Sequence, residues 1–194
     1  DPCRALKPIK FIAKPRMALT QMELEWLRQS CNTERERAII EILYSTGCRV
    51  SELAGIKMAD TDLSNGKIRV LGKGGKYRDV YLNAKAVVTL KRYLKGRDDD
   101  CEFLIASERK PYSGLTKAGI EYIVSAISKR AEKNTGKKIT PHILRHTTAT
   151  MCVQRGMPIQ DVSKLLGHES VETTMIYTDI DMTNVQREHQ KYVV

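Results

Sequence analysis

One glycine-rich turn, the KGGK run from Lys73 to Lys76, interrupts a chain whose other segments carry helix starts, helix stops and apolar residues at helical spacing. Short β-like runs flank it, at Lys67 to Leu71 and at Asp79 to Leu82, so the turn predicts one antiparallel hairpin. Before it, LTQME places Thr20 as a cap and Glu23 three residues on, the reciprocal pattern that starts a helix, which runs to about Gln29. Glu34 to Ser45 carries Ala38, Ile39, Ile42 and Leu43 at the spacing of a core-facing stripe, with Gly47 as its stop. A short helix from Val50 to about Ile56 follows. After the hairpin, Asn83 caps a helix reaching Leu94, Phe103 to Ile105 reads as a further strand, and Thr116 to Lys133 is a long helix with Ile120, Ile123, Val124 and Ile127 inward. Thr140 and Pro141 give a cap followed by proline at the first helical position, and that helix runs to about Arg155. Pro158 to Leu166 forms another helix closed by Gly167, Ser170 caps a short helix bearing Tyr177, and Met182 to His189 is a terminal helix. The fold class is mainly α with a small antiparallel β-sheet (α+β).

The chain has 194 residues, enough for one domain with a substantial core. Residues 1–18 mix basic residues and three prolines without amphipathic period and read as a linker or N-terminal arm. The formal charge of +10 is the footprint of a protein that works on a polyanion. The five cysteines are odd in number, widely spaced and without a CxxC pair, which argues against a disulfide framework or zinc ribbon and fits a reducing cytosol. No window approaches the roughly 20 apolar residues of a membrane span, and the start DPCRALKPIK lacks the apolar core of an export signal.

A set of polar residues spread along this frame carries the chemistry of phosphodiester attack. Charge grows on the nonbridging oxygens as phosphorus becomes five-coordinate, and the planar fork of arginine meets two such oxygens without losing its proton at neutral pH. Arg49, just after the Gly47 stop, and Arg145, one turn into the helix that starts near His142, are the clamp candidates. His142 and Arg145 are spaced i, i+3 and leave one helix face near its positive end. His146, at i+4 from His142, opens a competing idea, a zinc site with His168 as third ligand, but Ile143 stands where a zinc-protease helix needs glutamate. Lys73 or its neighbour Lys76 can donate a proton to a leaving oxygen. KGGK lacks the ending of a phosphate-cradling loop, so ATP is not implied. His168 can bond a phosphate, orient a nucleophile or simply brace the Gly167 loop. Tyr177 is one of eight tyrosines, and a packed phenol is its ordinary reading. Glu52, three residues after Arg49, can hold Arg49 or a histidine in place.

Taken in order, GCRVSEL, LGKGGK, PHILRH, LLGH and TTMIYT resemble the tyrosine recombinase (phage integrase) family over residues 19 to 179. The resemblance implies the fold of that family's catalytic domain at 19–179, and it favours Lys73 over Lys76. It implies Arg49, Lys73, His142, Arg145, His168 and Tyr177 as catalytic residues, with Glu52 in support. It further implies DNA cleavage and rejoining through a 3′-phosphotyrosine, without metal, ATP or other cofactor, by a site-specific recombinase of cytoplasmic, bacterial or mobile-element type. The wording favours a mobile-element integrase over a chromosome resolvase. Double-stranded DNA is the expected partner, bound by a homo-tetramer on two sites, with an N-terminal core-binding domain upstream. Residues 180–194 resemble a tail helix exchanged between protomers, with Val185 and Tyr192 to Val194 as anchors, or one that folds back. Two other classes remain: a type IB topoisomerase-like enzyme that relaxes supercoils, and a DNA-binding module without catalysis.

Overall fold

The computed structural model describes residues 18–168 and Thr174. Residues 1–17 of the expected arm, Ser170 and Tyr177 of the expected short helix, the Met182 to His189 helix and the tail anchors lie outside the described residues. Among those described, helices α1 (Gln21–Gln29), α2 (Glu34–Thr46) and α3 (Val50–Ala54) precede a three-stranded antiparallel sheet of β1 (Thr61–Asp62), β2 (Lys67–Leu71) and β3 (Tyr77–Tyr81). Helices α4 (Ala84–Lys95), α5 (Lys117–Thr135), α6 (Pro141–Gln154) and α7 (Ile159–Leu166) follow. The mainly helical α+β class is therefore observed.

Local chemistry sets these boundaries. Thr20 accepts from the Glu23 amide at 3.2 Å while Glu23 accepts from the Thr20 amide at 2.8 Å, so two orphan donors at the start of α1 are satisfied reciprocally. Asn83, Thr116 and Thr140 cap α4, α5 and α6 in the same sense, by accepting an amide three residues on. Helices α2, α5 and α7 end on Gly47, Gly136 and Gly167 in the left-handed conformation.

Three expectations need correction. Phe103 to Ile105 is not a strand: Phe103 makes one isolated bridge with Lys57, and Ala106 another with Gly114. The run is apolar because Leu104 and Ile105 are buried, not because it joins a sheet. The second hairpin strand starts at Tyr77 rather than Asp79, because the Leu71 and Tyr77 pairing carries the ladder up to the turn, while Leu82 leaves the ladder to bond Gly66. Helix α3 stops at Ala54, ahead of Gly55, two residues short of Ile56. The short strand β1, paired to β2 through Thr61 and Ile68, adds to the expected hairpin.

Helix α2 is the axis of the core. It packs against α4, α5, α6 and α3, and Ile39, Ile40, Ile42 and Leu43 on it are completely or almost completely buried. Such burial contributes about 1.5–3 kcal/mol per large aliphatic side chain. Glu41 is buried on the same helix because Arg28 grips both its oxygens, at 2.6 and 2.9 Å. At the end of α2, Gly47 has φ 60°, and a Cβ there would lie 2.9 Å from Leu166 and 3.4 Å from Thr148.

Gly136 has nearly the same φ, 61°, with nothing within 4 Å of an added Cβ. The two glycines therefore separate backbone strain from packing. Gly136→Ala is expected to lower the unfolding free energy in urea by about 1 kcal/mol, the left-handed cost alone, and Gly47→Ala by about 2–3 kcal/mol. Equal losses at the two positions would contradict close packing of α2 on α7.

Candidate active site

The C-terminal end of α7 is where the sequence-distant basic residues meet. A helix leaves its last carbonyls without intrahelical partners, and three guanidinium groups supply them here. Arg78 Nε donates to the Leu165 carbonyl at 3.1 Å, Arg145 Nη2 to the Leu166 carbonyl at 2.8 Å, and Arg49 Nη2 to the Gly167 carbonyl at 2.9 Å. Each arginine comes from a different element: Arg78 from β3, Arg145 from α6, and Arg49 from the N-cap position of α3. Arg145 also donates Nη1 to the Gly47 carbonyl at 2.7 Å, which ties the end of α2 to the same point.

Glu52 balances part of this charge. Its side chain is 3% exposed, and its two oxygens accept Arg78 Nη1 at 2.7 Å and Nη2 at 2.8 Å. The same oxygens accept the Arg49 amide at 2.7 Å and Arg49 Nη1 at 3.0 Å. Burial by itself would raise the Glu52 carboxyl, but the bonds from Arg78 and from the Arg49 backbone outweigh it and hold the group below the usual carboxylate range. Arg145 is pushed down to about 10 by burial first and then by Arg49 and Arg78, so it stays charged at neutral pH. Among the described residues, three guanidiniums around one carboxylate leave an excess of positive charge.

His168 follows the Gly167 turn directly, and its Nδ1 lies 2.8 Å from Thr174 Oγ1. Burial, then Arg145, Arg49, Arg78 and His142, push its pKa down to about 4, so the ring is neutral at physiological pH. His142, the smallest of these influences, sits exposed in the first turn of α6, while Arg145 on the same helix is only 6% exposed. The shared face expected for the pair thus divides into an outer imidazole and an inner guanidinium. His146 is half-buried, and among the described residues no group of three or more His, Cys, Asp or Glu is arranged to hold a metal.

Lys73 opens the turn Lys73–Gly75 between β2 and β3. Its neighbour Gly72 fixes where that turn stands: a Cβ on Gly72 would lie 3.3 Å from Arg78 Nη1 and 3.8 Å from Glu52 Oε1. The hairpin therefore rests on the arginine and carboxylate cluster. Tyr177 lies outside the described residues. Sequence reading missed Arg78. Its one local signal is a charged residue in the short strand after the KGGK turn, and its partners are 26 and 87 residues away.

This arrangement presents fixed cationic donors, a neutral imidazole and a lysine-bearing turn around one point, a set suited to a phosphate group. The phage integrase family model matches residues 17–184, and the chain belongs to that family. It is 34% identical over 195 residues to the tyrosine recombinase XerA of Thermococcus kodakarensis (strain ATCC BAA-918 / JCM 12380 / KOD1), covering 98% of this chain and 68% of that protein. It is 38% identical over 160 residues to the tyrosine recombinase XerC of Leptospira interrogans serogroup Icterohaemorrhagiae serovar copenhageni (strain Fiocruz L1-130), covering 81% of this chain and 50% of that protein. The crystal structure of XerA recombinase superposes with a TM-score of 0.77 at 32% identity, over 92% of this chain and 66% of that one. XerH site-specific recombinase bound to palindromic difH substrate, a post-cleavage complex, gives a TM-score of 0.76 at 29% identity, over 96% of this chain and 57% of that one. The fold is thus that of tyrosine recombinase catalytic domains, and the chain spans half to about two thirds of the length of these relatives.

The electrostatics of His168 set a pH dependence. In the unfolded chain its imidazole titrates near about 6.5, whereas in the folded protein it stays neutral down to about 4. The unfolded state therefore binds the extra proton in that window, and stability, full above about 6.5, falls as pH drops towards 4. Urea unfolding at about pH 7.5 and about pH 5 is expected to show a smaller loss on acidification for His168→Gln than for the native protein. Identical losses would place His168 in solvent, outside the buried arginine cluster.

Proposed function

We propose that the protein is a site-specific DNA recombinase that cleaves and rejoins double-stranded DNA through a 3′-phosphotyrosine. The observation that carries this reading is the convergence of Arg49, Arg145 and His168 on the end of α7, within a domain of the family whose relatives are named tyrosine recombinases. In this reading Arg49 and Arg145 hold the nonbridging oxygens of the scissile phosphate and stabilise the charge that grows on them. His168 is neutral, and in the tautomer in which Nδ1 accepts from the Thr174 hydroxyl its proton sits on Nε2, from which it donates to a phosphate oxygen. His142, at the exposed start of α6, takes the Tyr177 proton or adds a further phosphate bond. The Tyr177 oxygen attacks phosphorus, the bond to the 5′ oxygen breaks, and Lys73 protonates that leaving oxygen. A 5′ hydroxyl from another strand reverses the step, because the phosphotyrosine conserves the bond energy. The fixed guanidinium charges neutralise the phosphate, so the step is assigned neither metal nor ATP.

Residues 19–179 form the catalytic domain in this account, residues 1–18 the arm leading from an upstream core-binding domain, and residues 180–194 the tail. The assembly is a homo-tetramer on two DNA sites, and the compartment is the cytoplasm. Xer-named relatives at 34% and 38% identity support recombination at a dedicated site. The transposon Tn1549 integrase, at 21% identity, shares the fold alone, so the mobile-element expectation draws no support from it.

The test is to mix the protein with sheared DNA of its own source, denature, and recover DNA that stays bound. Sequencing is expected to return one recurrent site and peptide mapping to put the nucleotide on Tyr177. Tyr177→Phe is expected to bind that site with unchanged affinity and to form no adduct on a duplex nicked beside it. An adduct surviving in that variant overturns the assignment. Relaxation of supercoils without sequence preference would instead favour a topoisomerase.

A further inference from the structure

Arg78 is the one arginine of the cluster that the proposed reaction does not use, yet it is the most firmly tied. Its fork grips both Glu52 oxygens, at 2.7 and 2.8 Å, and its Nε holds the Leu165 carbonyl at 3.1 Å. Gly167 packs so closely on it that a Cβ there would lie 2.9 Å from Arg78 Cζ and Nη1. Arg78 is 16% exposed and Arg49 36%, so of the two guanidiniums sharing Glu52 the inner one takes the two-pronged grip. Arg49 has a single side-chain bond to that carboxylate, through Nη1.

We propose that Arg78 is a positioning residue: by occupying both oxygens of Glu52 it keeps that carboxylate from pairing fully with Arg49, so the Arg49 guanidinium stays presented to the scissile phosphate. Arginine and carboxylate prefer the two-pronged geometry when no competitor is present. Without Arg78, the buried Glu52 carboxylate turns to Arg49, its other arginine partner among the described residues, and the clamp loses both its charge and its aim. Arg78 also bears on the lysine side of the site, since Gly72 beside Lys73 lies against Arg78 Nη1 and Glu52 Oε1. Lysine cannot replace it, because an ammonium is a point charge that cannot span both oxygens and reach a carbonyl as well.

The inference rests on Arg49 acting as the phosphate clamp, and the experiment keeps the two apart. With the recovered site as a nicked suicide duplex, single-turnover cleavage and equilibrium binding are measured for the protein and three variants. Arg78→Lys is expected to cleave roughly ten- to hundredfold more slowly, the size of effect that small misplacement of a reacting group produces, with affinity within about threefold. Arg78→Met is expected to lose more. Combining Arg78→Met with Glu52→Gln is expected to restore part of the rate relative to Arg78→Met, because the carboxylate that captures Arg49 is gone. Thermal melting locates the temperature at which all variants are folded, and rates are compared there. Native-like cleavage by Arg78→Lys overturns the inference, as does a rate that falls only in step with affinity and melting temperature, or a double variant no faster than Arg78→Met. A native protein that forms no adduct on any duplex overturns the proposed function itself, and this inference with it.

Discussion

The last carbonyls of α7 are the point on which this domain turns. The helix has eight residues, too few to be stable alone, and its C-terminal end carries partial negative charge on carbonyls that the helix itself leaves without a donor, Lys164 in the last turn being largely exposed. Three arginines from β3, α6 and the start of α3 bond three successive carbonyls there. The same contacts that close the helix therefore fix the guanidiniums, each by bonds to backbone that cannot swing away. A phosphate entering this cluster meets charges already ordered, so little reorganisation is needed when charge develops on it.

That order requires a restrained counter-charge. Two or three guanidiniums in a partly buried place repel one another, and a carboxylate for each would cancel the attraction for an anion. Among the described residues Glu52, shared between Arg78 and Arg49, relieves the repulsion and still leaves the three arginines with surplus positive charge. Burial first, and the surplus charge second, hold His168 neutral beside the cluster. The frame around these groups is correspondingly tight. Gly47 and Gly167 stand where a methyl group would strike Leu166 or Arg78, so the glycine turns serve close approach as well as helix termination.

Much of the frame was legible locally. Thr20 with Glu23, Asn83 and Thr140 each cap a helix by a bond to an amide three residues away, a reach that sequence spacing alone defines. Gly47 and Gly167 stop helices because only glycine takes the left-handed turn without strain. The KGGK turn was legible for the same reason. Phe103 to Ile105 misled because burial and strand pairing favour the same residue types, and only the neighbours decide between them. The roles of Arg49, Arg145 and His168 were suggested by family wording around them. Nothing in that wording pointed to Arg78, whose partners Glu52 and Leu165 lie on other elements.

By itself, then, the sequence determined the described helices, most of their ends, the β2–β3 hairpin and the basic character of the chain, because caps, left-handed glycines and apolar periodicity act over three or four residues. Tertiary structure decided which basic side chains meet, which of them is buried, and which shares a carboxylate with which. Those outcomes depend on α2 packing against α3 and α6 and on the hairpin closing over Glu52. Contacts across tens of residues carry no spacing rule, so the partnership of Arg78, Glu52 and Arg49 existed only once the core had set their distances.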